Sequence, residues 1–143
     1  MLITSTVAIA VLAVAQTLSQ PLPQDALSLA VGVWELDPAE TDDRGDFTCS
    51  GEPLIVSIDR KNMRYRSTAG EYEDVADILD SRFSSFRIQY DNEERLDDAG
   101  NPVIWTMVFP DDDHFYWVRE DWKQDPSRRT NMRRRCKSPP LTS

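Results

Sequence analysis

The sequence predicts an all-β domain, a small antiparallel meander closing into a barrel of about eight strands, with a β-sandwich as the alternative. Three observations predict it. The runs 103–109 (VIWTMVF) and 114–119 (HFYWVR) are β-branched and aromatic, and the break Pro110-Asp111-Asp112-Asp113 between them reads as a hairpin turn. Short apolar–polar alternations recur through the rest of the chain with Gly, Pro and Asp clusters between them. No long segment keeps a helical period.

The N-terminus stands apart. Met1 to Ala15 is an apolar, small-residue run without charged side chains, and it ends in Ala13-Val14-Ala15, the small-x-small pattern of a cleavage site. It falls short of the ~20 residues a spanning helix needs. We read 1–15 as a cleaved export signal, with an uncleaved anchor as the alternative. Residues 16–28, with two prolines and no periodicity, read as an extended lead-in. The domain then runs over 29–137, and 138–143 form a tail.

Taken in order, 29–38 reads as a first strand ended by Pro38, and 39–46 as a charged loop. Phe47-Thr48-Cys49 reads as a short strand before the turn Ser50-Gly51-Glu52-Pro53. The β-branched run 53–59 stops at Arg60-Lys61-Asn62. In 63–68, Met63, Tyr65 and Ser67 share one face against Arg64, Arg66 and Thr68. Residues 71–79 admit two readings: a strand that continues the meander, or a short helix with Val75, Ile78 and Leu79 on one stripe.

Phe86, Ile88 and Tyr90 alternate with Arg87 and Gln89 on a strand that continues to Leu96. A four-residue loop at 97–100 then sets Tyr90 opposite Met107 and Ile88 opposite Phe109. At the next turn a five-residue loop would bury Phe115 and Trp117, and a four-residue loop Tyr116 and Val118. The first removes more apolar area from water and is preferred. Residues 121–127 read as a polar turn. The last strand, 128–136, carries Thr130, Met132, Arg134 and Cys136 on one face, which Met132 marks as inward.

Charge and cysteine count narrow the function. The chain has 25 acidic and 16 basic residues, net −9. Six of the basic ones lie between Ser127 and Lys137, so the remainder is strongly acidic. An acidic body excludes nucleic acid as a partner, because phosphate neutralisation needs a basic footprint. The basic stretch reads as a strand laid against that body. Cys49 and Cys136 are the two cysteines; in an exported chain they read as one disulfide, and otherwise as two buried thiols.

Catalytic signatures are missing. His114 is the single histidine, and no Gly-x-Ser-x-Gly, zinc-ligand spacing, phosphate-binding loop or Cys/His pair occurs. The expectation is a non-enzyme without cofactor or metal. The Asp-rich stretches 42–46, 97–98 and 111–113 do not match a calcium loop and read as solvated turns.

Gly32-Val33-Trp34 on the first strand, after an export leader, resembles the G-x-W signature of the lipocalin (calycin) superfamily. In that family the Trp closes one end of an eight-stranded barrel and an Arg from near the last strand packs across it. The resemblance implies such a barrel, with Arg134 over Trp34. It also implies a disulfide tying the C-terminal segment to the barrel, as Cys49–Cys136 would, and carriage of a small apolar ligand. The inward residues Phe86, Tyr90, Trp105, Met107, Phe115 and Trp117 then either line a ligand cavity or fill a core. The rival reading is an acidic envelope module that binds or inhibits a basic protein through its acidic tips. Both place a monomer in a secreted or periplasmic setting.

Overall fold

The computed structural model describes residues 24–42, 45, 47–122 and 125–137. The expected export signal, lead-in residues 16–23 and the tail lie outside the described residues. Eight antiparallel strands close into a barrel, each paired with its neighbour in sequence and the last with the first. They are β1 (Gly32–Leu36), β2 (Leu54–Asp59), β3 (Arg64–Ala69), β4 (Tyr72–Ser81), β5 (Ser85–Tyr90), β6 (Trp105–Asp111), β7 (His114–Arg119) and β8 (Arg133–Arg135). A closed meander leaves no sheet edge open. No described helix is long and apolar enough to cross a membrane.

The period-two pattern decides which side chains enter. Trp34, Val56, Tyr65, Ala76, Phe86, Ile88, Met107 and Phe115 are buried to within a few per cent of complete coverage. The ambiguous segment 71–79 is strand, as part of β4, with Ala76 and Ile78 inward. Phe115 and Trp117 face the interior, as the larger apolar area requires, and Met107 stands opposite Trp117. The turn itself is tighter than expected. Asp111 pairs with His114, and a bulge between Val108 and Asp111 absorbs the extra residue.

Four expectations are corrected. Residues 26–30 form a five-residue helix, α1 (Ala26–Ala30), so Leu29 and Ala30 are helical and residues 26–28 are not extended. Asp25 caps the helix by accepting the Ser28 N–H at 2.9 Å. Phe47, Thr48 and Cys49 lie in no strand, but within the long connection from β1 to β2. β5 ends at Tyr90, and Ile88 stands opposite Trp105 and Phe86 opposite Met107. The small hairpin around Leu96 and Pro102 is a separate excursion that adds nothing to the ladder. Because the register moved by an even number, every side chain kept its face.

The fourth concerns β8. Trp34 pairs with Arg135 and Glu35 with Arg134, so the inward residues are Arg133 and Arg135 rather than Arg134. Arg135 lies over Trp34, its guanidinium carbon 4.2 Å from the ring centroid. Arg134 instead pairs with Glu35, whose other oxygen accepts the Cys49 N–H at 3.1 Å.

α1 plugs the end of the barrel where Trp34, Phe109 and Phe115 pack together. A buried helix end needs partners for its last carbonyls. Trp34 Nε1 donates to Ala30 O at 3.0 Å, and Arg135 donates to Leu29 O and Val31 O at 2.6 and 3.1 Å. Cys49 and Cys136 form a disulfide across a sequence separation of 87, with Cα atoms 5.7 Å apart. It ties the long β1–β2 connection to the end of β8, and such a bridge indicates an oxidising, extracytoplasmic setting.

Candidate functional site

The end of the barrel opposite α1 is open. β2 begins there, β3 ends and β4 begins, so Leu54, Ser67 and Asp74 stand at the rim; β5 and β6 contribute Tyr90 and Trp105. A recess of about 480 Å³ descends between them, lined by Leu54, Tyr65, Tyr90, Trp105, Trp117 and Arg133 among others. That volume is within the range of small-molecule sites.

Four aromatic side chains share its lining with polar ones, Glu73, Asp74, Asp91, Asn92 and Arg95 among them. Tyr65 meets Trp117 edge to face at 5.8 Å between centroids and Tyr90 at 6.4 Å, and Tyr90 lies 6.3 Å from Trp117. Burial pushes the phenol pKa values of Tyr65 and Tyr90 well up, so both stay neutral hydroxyls. The connection from β5 to β6 holds one wall in place. Trp105 Nε1 donates to Glu93 at 2.8 Å, and Arg95 binds the same carboxylate while lying 4.8 Å over the indole. Burial pushes Glu93 up, but the donors from Arg95 and Trp105 outweigh it and hold the carboxyl below its usual range.

The six interior residues expected as lining or core divide between the two roles. Tyr90, Trp105 and Trp117 border the recess, Trp105 and Trp117 being buried members of the core cluster as well, whereas Phe86, Met107 and Phe115 are fully buried and pack only as core. Trp34 is structural at the plugged end.

Arg133 was missed. It projects into the recess from β8, largely buried, with its guanidinium carbon 5.0 Å over the Phe47 ring. Its Nη1 finds no hydrogen-bond partner among the described residues. Desolvation pulls its pKa down, yet a guanidinium stays cationic in a protein. Alternation could not reveal it, because that reasoning follows apolar residues and the inward residues of β8 are arginines. The one available signal was pairing: the barrel Arg that covers Trp34 fixes the face of its second neighbour.

In two of the acidic tips one carboxylate is engaged in its own turn. Asp97 accepts the N–H groups of Ala99 and Asn101 at 2.9 Å, and Asp111 accepts the Asp113 N–H at 2.8 Å and meets His114 Nδ1 at 2.9 Å. Of the stretch 42–46 only Asp42 and Gly45 are described. Among the described residues no three His, Cys, Asp or Glu side chains are placed to hold a metal ion.

No protein-family model matches the sequence, and a search of curated proteins finds no match. Among solved structures the chain is similar to Treponema pallidum Tp0751 (pallilysin), with a TM-score of 0.39 and 9% identity, over 78% of this chain and 84% of that one. The chain itself shows a closed eight-stranded barrel, a Trp covered by a last-strand Arg, and a disulfide.

Proposed function

We propose that this barrel is a non-catalytic binding domain of the secreted or periplasmic space that takes one small, largely apolar molecule into its open end. One observation carries the reading: the barrel interior is packed around Phe86, Met107 and Phe115 but stops short of the mouth, leaving a recess with aromatic rings at its base and polar side chains at its rim. A purely structural barrel of eight strands can fill its interior completely. Here Tyr90, Trp105 and Trp117 border a space instead, with Tyr65 almost wholly buried beside them, and flat rings offer contact area at little entropic cost.

The test is a titration with N-phenyl-1-naphthylamine, a neutral dye that brightens in apolar surroundings. Saturable one-to-one binding with quenching of tryptophan emission is expected, and Trp117→Ala should weaken it about tenfold or more. A flat titration with this dye and with a panel of apolar and aromatic compounds would sink the proposal. The acidic-tip alternative gains no support from Asp97 and Asp111, whose carboxylates are engaged within their own turns.

A further inference from the structure

We infer that the occupant of the recess carries a single negative charge, a carboxylate or sulfonate on an aromatic body, and that Arg133 is the group that receives it. The inference rests on the recess being a ligand site and adds the ligand's chemical class.

An arginine inside a barrel is costly unless its charge and donors are matched. Elsewhere in the barrel wall the arginine charges are matched, although Arg87 Nε, like Arg133 Nη1, is buried without a partner among the described residues. Arg64, Arg87, Arg95, Arg119, Arg129 and Arg134 each hold a carboxylate. Arg135 is satisfied by the carbonyls of Leu29, Val31 and Asp112. Arg133 is as deeply placed as any of them and has neither. Its apolar side rests on Phe47, Nη1 is sealed from solvent without a partner, and its neighbours Tyr65 and Tyr90 are neutral hydroxyls. Asp74 lines the same recess, but it is solvent-exposed and forms no ion pair with Arg133. A buried polar group without a partner calls for an explanation; Nη1 itself is closed to solvent, so a ligand would meet this uncompensated guanidinium through the part that lines the recess.

The surroundings set the class. A guanidinium presents parallel N–H donors that match a planar carboxylate or a sulfonate. The walls beside it are rings, which suits a flat body. Glu73 and Asp91 around the opening are paired with Arg66 and Arg64, which leaves Asp74, on a protein of net charge −9, to disfavour a multiply charged anion such as a nucleotide. One charge buried at depth, with an aromatic remainder toward the mouth, fits all three conditions.

The experiment compares 1-naphthoate with 1-naphthamide, which have the same ring system and differ in charge, by calorimetry and tryptophan quenching on the wild-type protein and on Arg133→Gln and Arg133→Met. The wild type is expected to bind naphthoate at least tenfold more tightly than naphthamide. Both variants should lose that preference while their naphthamide affinity stays within about twofold. Without ligand the variants should melt no lower than the wild type, because they remove an unpaired buried charge. Equal affinity for the two compounds in the wild type, or a preference that survives both substitutions, overturns the anion assignment and leaves the recess as an apolar site. A marked fall in melting temperature in both variants also overturns it, since Arg133 would then be a structural residue. Binding of neither compound overturns the recess reading as well.

Discussion

Gly32, Trp34 and Arg135 form one contact, and their chemistry explains why the three residue types occur together. Gly32 has φ of +148°, and a Cβ there would stand 2.7 Å from Arg135 Nη1. Only glycine lets the guanidinium reach the carbonyls of α1 while lying flat on the indole. Arg135→Ala uncovers Trp34 and strips the donors from Leu29 O and Val31 O, so a loss of about 2–4 kcal/mol is expected in urea unfolding. Gly32→Ala should cost about 1–3 kcal/mol alone, from strain and the close approach. In the Arg135→Ala background the close approach is gone, so the second substitution should cost less than it does alone. Strict additivity would show that the two residues do not share a contact. Glu93 supplies the pH prediction at this scale. Its carboxyl is held below the ordinary 4.5 in the folded protein, so it contributes stability above that value and loses it as the pH falls through its folded pKa. Glu93→Gln should be less stable than the wild type at pH 7, and the gap should narrow in acid melts below about pH 4.5. A gap that stays constant with pH would exclude the charge as its cause.

Among the elements, α1 does most with fewest residues. Its five residues are too few to be stable as an isolated helix, so its stability comes from packing. Leu27 and Leu29 are 3% and 5% exposed, and both belong to the single core cluster. Leu29→Ala should therefore cost about 2–4 kcal/mol, as a core truncation does, rather than the few tenths typical of a lead-in segment. Denaturant melts of that variant decide between the two. The same brevity made α1 illegible in the sequence: one and a half turns cannot display a period, and Leu29-Ala30-Val31 runs straight into a real strand. Most of β1 to β7 was legible because apolar alternation survives any even change of register, which is why the faces of Ile88, Tyr90, Trp105 and Met107 held when their partners did not; β4, whose apolar residues also fit a helical stripe, stayed open between strand and helix. β8 was not. Its inward residues are Arg133 and Arg135, chosen for hydrogen bonding and charge rather than apolarity, and Met132 pointed to the wrong face. Half of the candidate site follows from the aromatic pattern, and the half that confers chemistry does not.

At the scale of the whole molecule, the barrel depends on its weakest join. β8 has three residues, and it alone bridges β7 and β1. Every other pairing connects neighbours in sequence, whereas β1 and β8 meet across about a hundred residues, so this closure carries the largest loop-entropy cost. The Cys49–Cys136 bridge lies beside that join, where Cys136 N–H donates to Val33 O at 2.8 Å. In the chain-entropy model, a cross-link over 87 residues contributes about 4–5 kcal/mol, and its effect should fall on the closure rather than spread evenly. With both cysteines changed to serine, amide exchange at Arg135 and Cys136, the β8 end of the join, should accelerate far more than at Ile88 or Met107 in the middle of the meander. Because β8 also carries Arg133, the same variant should lose affinity for an anionic aromatic compound before it loses its global fold. Uniform acceleration at all four amides would show instead that the barrel opens as one unit and that the bridge stabilises it only globally.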